Sequence, residues 1–167
     1  MPAEVALALL ERNGHWLMQL RDDVPGIVGP GCWGLFGGHL EPGEGPEQAL
    51  RRELLEEISW GGDSLEFRFL HHHPRRLAHV FSGALTVPLE QLQLLEGQDM
   101  TLISAAELRS GGIWSPKLGC TRPLVDGVAE ILERLLPPGA KRHGDPPRNP
   151  PRRRPGGGLS QTTTNRC

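Results

Sequence analysis

The stretch Gly37-Gly38-His39-Leu40-Glu41-Pro42-Gly43-Glu44-Gly45-Pro46-Glu47-Gln48-Ala49-Leu50-Arg51-Arg52-Glu53-Leu54-Leu55-Glu56-Glu57-Ile58-Ser59-Trp60 decides how this chain reads. Pro46 suits a first helical turn, and Leu50, Leu54 and Ile58 recur every four residues, so a helix is expected from Gly45-Pro46 onward. At 100° per residue, Glu53, Glu56 and Glu57 then share an arc of about 100° on one face. The three apolar residues occupy a neighbouring arc and can dock the helix onto a sheet. Like charges four residues apart destabilise a helix by a few tenths of a kcal/mol. A hard divalent cation relieves that repulsion, because Mg²⁺ takes a few carboxylates together with waters and substrate phosphates. Arg52 stands four residues before Glu56 and can pair with it. Gly37 and Gly38 lack Cβ atoms, so backbone can approach the same place closely. The competing reading is a solvated acidic helix. It leaves unexplained why the glycine pair, Glu44, Arg52 and the three glutamates stand at these spacings.

On the N-terminal side, Glu4–Arg12 and His15–Leu20 are apolar-rich segments separated by Asn13-Gly14, the pair that favours a type I′ turn and hence a β-hairpin. A loop follows from Arg21 to Gly31, and Cys32–Phe36 reads as a short strand ending at Gly37-Gly38. Beyond the helix, Leu65–Leu70 and Leu77–Val87 read as strands joined by a segment running from His71 to Arg76. Met100–Ile103 reads as another short strand, followed by a short helix to Arg109 capped by Ser104. A final amphipathic helix is expected over roughly Arg122–Leu136, stopped by Pro137-Pro138. Strands interleaved with two or three helices give an α/β domain whose mixed sheet is covered on both faces.

Composition sets the boundaries. Apolar residues make up 37% and charged residues 23% of 167, enough for one packed domain, expected over residues 1–136. Residues 137–167 hold seven prolines, five glycines, seven basic residues and one acid, so they carry +6 while the whole chain is −2. So few apolar groups cannot offset ordering entropy, and this basic Pro/Gly/Arg-rich tail is expected to be disordered. The Arg152-Arg153-Arg154 cluster could touch an anionic surface, but an acidic body reads against a compact nucleic-acid binder. No apolar run reaches bilayer length, and Glu4 within the first ten residues reads against a signal peptide. Three widely spaced cysteines, Cys32, Cys120 and Cys167, suggest neither a disulfide framework nor structural zinc. A cytoplasmic setting without membrane attachment is the expectation.

Gly38, Glu44, Arg52, Glu53, Leu54, Glu56, Glu57 and Trp60 resemble the Nudix hydrolase signature, Gly-x5-Glu-x7-Arg-Glu-U-x-Glu-Glu-x-Gly-U, where U is a bulky apolar residue. The departure is Ser59, where the family has the glycine that ends the helix. Either Ser59 adopts the left-handed conformation at a cost of about 1 kcal/mol, or the turn is delayed to Gly61-Gly62. The resemblance implies an α/β/α sandwich with a mixed sheet and a catalytic loop-helix-loop. It further implies Mg²⁺-dependent hydrolysis of a diphosphate linkage, with Mn²⁺ as an alternative ion. Glu53, Glu56 and Glu57, with the carbonyl of Gly37 or Gly38, would hold the metal, Arg52 would orient a glutamate, and Glu44 would support the site. Glu96-Gly97-Gln98 resembles a triplet of MutT-like members, which makes Glu96 a candidate ligand or base, with Asp99 in reserve. Arg21, Phe36 and Gly37 are candidate substrate contacts, although Phe36 and Trp33 also suit the core.

Three adjacent histidines, His71 to His73, alternate faces on a strand and cannot converge on one ion; with Arg75 and Arg76 they suggest either a basic hairpin tip near the substrate phosphates or a plain surface loop. The chain has no tyrosine, which separates it from one group of dinucleoside polyphosphate hydrolases. The expected substrate is a nucleotide, and the expected activity is MutT-like, cutting a nucleoside triphosphate to a monophosphate and pyrophosphate. The alternatives are an ADP-ribose or nucleotide-sugar hydrolase and a catalytically silent nucleotide sensor.

Overall fold

Asn13 and Gly14 both take positive φ, 52° and 74°, as a type I′ turn requires, and they join β1 (Ala3–Arg12) to β2 (His15–Leu20). The computed structural model describes residues 2–138, so the expected tail falls, from residue 139 onward, outside the described residues. Strand β1 is the spine of the sheet. One edge pairs in parallel with β6 (Arg76–Ala84) from Ala3 to Glu11. The other edge is shared by two antiparallel partners, β4 (Phe36–His39) at Val5–Ala8 and β2 at Leu10–Arg12. Strand β2 also carries β7 (Asp99–Ser104) and, at its end, β3 (Trp33–Gly34); β5 (Leu65–His73) pairs with β6 at the outer edge. The result is the expected mixed sheet.

Alternation along β1 divides the core in two. Ala6, Ala8 and Leu10 pack with Ala49, Leu50, Leu54 and Ile58 of α1 (Pro46–Ile58), together with Phe36 and Phe81. Val5 and Leu9 pack instead with Val128, Ile131 and Leu132 of α3 (Val128–Leu135) and with Leu108 of α2 (Ala105–Arg109). Helix α1 begins at Pro46 and α2 is closed by a Ser104–Glu107 capping box, both at the expected positions. No helix among the described residues is long and apolar enough to cross a membrane.

Three expectations need correction. The strand expected to end at Gly37-Gly38 is split at Leu35, and both glycines lie inside β4. A Cβ on Gly37 would sit 1.9 Å from the Ala6 carbonyl oxygen, so the pairing of β4 onto β1 itself demands glycine there. His71–His73 is strand rather than loop; only Pro74 and Arg75 form the turn. The last helix starts at Val128, not Arg122, because Cys120–Pro123 is strand β9, paired with β8 (Gly112–Ser115), and Gly127 turns the chain at φ 83°. Helix α1 ends without delay: Ser59 itself is left-handed, at φ 58° and ψ 30°, and its N–H donates to the Leu55 carbonyl.

Candidate active site

A cavity of about 950 Å³ opens where α1, β4, the loop after β2 and the loop before α3 meet. Its lining includes Glu53, Glu56, Glu57, Glu96, Gly37, Gly38 and Arg21, so most of the expected site residues converge on one space. Arg52 and Glu44 stand behind this wall. Arg52 Nε and Nη2 grip the two oxygens of Glu44 at 2.8 and 2.9 Å, and Nη2 also reaches the His39 carbonyl at 2.9 Å. Nη1 donates to Glu53 at 2.9 Å and to Glu56 at 3.4 Å. The orienting role expected of Arg52 toward Glu56 is therefore met more closely at Glu53. Glu44 also accepts the Glu41 N–H, and with the guanidinium this holds its carboxyl down to about 2.

Glu57 is 3% exposed, and one oxygen accepts the Gly37 N–H at 3.0 Å. Burial, then the charges of Glu96 and Glu53, push its pKa up to about 8 against that hydrogen bond. Glu53 is also raised, first by burial, with Arg52 opposing. Gly38 matters because a Cβ there would lie 2.5 Å from the Glu53 carboxyl carbon; only glycine lets that carboxylate rest on the strand.

Glu96 arrives from a distant loop that is latched at several points. The Leu95 N–H donates to the Glu57 carbonyl at 2.8 Å, satisfying an orphan acceptor at the end of α1. The side chain of buried Gln19 donates to the Glu96 carbonyl, and Gln98 donates to the Arg21 carbonyl, both at 2.9 Å. Gly97, at φ 99°, makes the turn between them. Gln19 carried no signal in the sequence, since a lone glutamine in a strand resembles any other.

Two candidates lie elsewhere. Phe36 is fully buried in the core beneath α1 and does not line the cavity, so its reading as a substrate contact is corrected to core packing. Asp99 is also away from the cavity: it accepts from Ser115 Oγ at 2.6 Å and from the Lys117 N–H at 3.2 Å, pinning the β8–β9 hairpin. The far end of the cavity is built by His73, Arg75, Arg76 and Asp126, from segments about 50 residues apart.

The donor set suits a hard divalent cation. It is all oxygen, four carboxylates share one cavity, and one guanidinium serves two of them. Among the described residues no three His, Cys, Asp or Glu side chains converge as a ready-made metal cluster; Glu53 and Glu56 are turned toward Arg52.

Comparison with known proteins bears on the fold and the family. Nucleoside triphosphatase NudI of Salmonella agona (strain SL483) is 43% identical over 54 residues, which is 32% of this chain and 38% of that relative. The chain thus spans well under half the length of this curated relative. A MutT NUDIX hydrolase from Burkholderia pseudomallei superposes with a TM-score of 0.65 at 19% identity, over 81% of this chain and 99% of the other. The NUDIX domain of Shewanella oneidensis NrtR, crystallised with ADP ribose, superposes with a TM-score of 0.61 at 17% identity, over 80% and 86%. At such identities the two structures establish the fold, an α/β/α sandwich. The NUDIX domain profile matches residues 1–112, more than half of the sequence, and the chain belongs to the Nudix family.

Proposed function

We propose that this chain hydrolyses a phosphoric anhydride bond in a nucleoside diphosphate linked to a further group, and that nucleoside triphosphates are its best substrates, cut to a monophosphate and pyrophosphate. The observation that carries this reading is the convergence of Glu53, Glu56, Glu57 and Glu96 on one cavity, with Arg52 fixing Glu53 from behind. Similarity to the nucleoside triphosphatase NudI supports the choice of substrate.

Glu53, Glu56 and Glu57, with a carbonyl of Gly37 or Gly38, would hold Mg²⁺. Bound there, the ion would neutralise phosphate oxygens and lower the pKa of the attacking water. The chain's own residues do the rest. Arg52 holds the Glu53 carboxylate in place at the cavity wall, and the Gly37 N–H does the same for Glu57. Arg21 lines the same cavity and supplies a guanidinium for a phosphate oxygen. Glu96 accepts no hydrogen bond on its side chain among the described residues, and we assign it the proton of the water that attacks phosphorus as the bond to pyrophosphate breaks.

Product analysis with Mg²⁺ over dGTP, 8-oxo-dGTP, ADP-ribose, a nucleotide sugar and a dinucleoside polyphosphate tests the reading. Pyrophosphate release from a triphosphate is the expected result. Turnover of ADP-ribose or the sugar nucleotide alone would move the substrate to that class, and binding without any turnover would indicate a sensor.

A further inference from the structure

The cavity carries charge of both signs. Besides the glutamates it is lined by Arg21, Arg75 and Arg76. Arg51, Arg52, Arg68 and Arg122 each have a carboxylate within salt-bridge distance, whereas these three have none among the described residues. Arg21 donates Nε to the Val28 carbonyl at 2.6 Å, and Arg76 donates Nη2 to the Asp126 carbonyl at 2.8 Å. The Nε of Arg76 is buried with no partner. Asp126 is the single lining carboxylate outside the four glutamates, and it is engaged by His73 Nε2 at 3.1 Å. A half-buried guanidinium thus faces a second one, and burial together with the charge of Arg21 lowers the pKa of Arg76.

The order of these groups is also fixed. On the sheet Arg76 pairs with Ala3 along one edge of β1, while Gly37 and Gly38 pair with Leu7 and Ala6 along the other. The Arg76 end therefore lies apart from the carboxylate end at Gly37 and Gly38, and apolar Val5, Leu7, Leu35 and Val125 wall the cavity. Unbalanced cations in a partly desolvated space favour an anion over a neutral ring. A phosphate monoester offers close to two charges and several acceptor oxygens, and a guanidinium can grip it with two parallel hydrogen bonds.

We propose that the Arg75–Arg76 end of the cavity is a subsite for a phosphate monoester carried by the substrate, remote from the diphosphate that is cut. The placing of the scissile diphosphate at the glutamates rests on the hydrolytic reading above; the anion subsite rests on the unpaired arginines. The subsite adds, to the nucleoside triphosphates proposed above, nucleotides that also bear a phosphate monoester away from the scissile diphosphate.

Calorimetric titration of the full chain in EDTA, with no turnover, tests this directly. The probes are two pairs that differ by one monoester: NADP⁺ against NAD⁺, and coenzyme A against its 3′-dephospho form. The phosphorylated member of at least one pair binds about tenfold tighter, in line with a charge-assisted hydrogen bond. Arg76→Gln and Arg75→Gln each bring that ratio to within about twofold. Melting temperatures establish that the variants are folded, and exposed Arg75 decides the matter if Arg76→Gln unfolds. Ratios within twofold for both pairs in the unaltered protein, or a preference that survives the substitutions, would overturn the proposal. A preference seen in EDTA without any Mg²⁺-dependent cleavage would keep the subsite and remove the hydrolytic reading.

Discussion

Arg52 and Glu44 meet fork to fork, Nε on Oε1 at 2.8 Å and Nη2 on Oε2 at 2.9 Å, while the remaining Nη1 of the same guanidinium holds Glu53 at 2.9 Å. One planar group is thereby fixed at one side and serves the cavity with the other. A lysine keeps the charge but loses the fork. Arg52→Lys and Glu44→Gln are each expected to lower kcat about 10- to 100-fold with the fold retained, the usual cost of losing a ligand's orienting partner. The pair also has an acid signature. Glu44 is held at about 2 against 4.5 in the unfolded chain, so its contribution to stability is complete above pH 4.5 and disappears as pH falls through about 2. Urea unfolding of Glu44→Gln beside the unaltered protein checks this: the gap seen at pH 7 closes across that window.

Glu57 should act in the opposite direction. Its folded pKa is about 8 against 4.5 unfolded, so between those values the folded state holds more protons. Stability of the metal-free protein falls as pH rises from about 4.5 to about 8, and saturating Mg²⁺ flattens the slope. Glu57→Gln removes the slope without metal, since its amide oxygen can still accept the Gly37 N–H. Thermal melts in EDTA and in Mg²⁺ across that range give the answer.

Two adjacent glycines should fail in different ways. A Cβ on Gly37 meets the Ala6 carbonyl oxygen at 1.9 Å at φ 130°, so Gly37→Ala is expected to cost about 3 kcal/mol of stability. A Cβ on Gly38 meets only the mobile end of Glu53, at 2.5 Å. Gly38→Ala is therefore expected to cost under about 1 kcal/mol while lowering kcat at least tenfold, because the carboxylate is displaced. Equilibrium unfolding and steady-state rates on both variants separate the two effects.

Ser59 holds the left-handed position that ends α1, at φ 58°. Ser59→Gly relieves a strain of about 1 kcal/mol, offset in part by the greater freedom of glycine in the unfolded chain. The expected net gain is about 0.5 kcal/mol with unchanged kcat, read by urea unfolding.

What was legible in the sequence was local. Asn13-Gly14 specifies its hairpin by backbone chemistry alone, and α1 follows from Pro46 and a four-residue apolar repeat. Its carboxylates could be assigned to one site because a single helix carries them. The β8–β9 hairpin could not be seen: its strands have four residues each, and Asp99 fixes the connecting turn from another strand. The same hairpin takes Arg122 and Pro123 from the segment read as helix. Phe36 reads from the sequence as either a substrate contact or core, and alternation along β4 turns it into the core. Arg75 and Arg76 read as a basic hairpin tip from the sequence, but their meeting with Asp126 does not, since the β5–β6 hairpin and the loop before α3 meet only in the folded chain.

The central claim is that the carboxylates of α1 perform the cleavage. Pyrophosphate release from a nucleoside triphosphate, measured with Mg²⁺ for the unaltered protein and for Glu53→Gln, tests it most directly. The account predicts release that requires Mg²⁺ and a fall of at least a thousandfold in kcat for Glu53→Gln, with nucleotide affinity kept within about threefold. Equal release by the two proteins would contradict it.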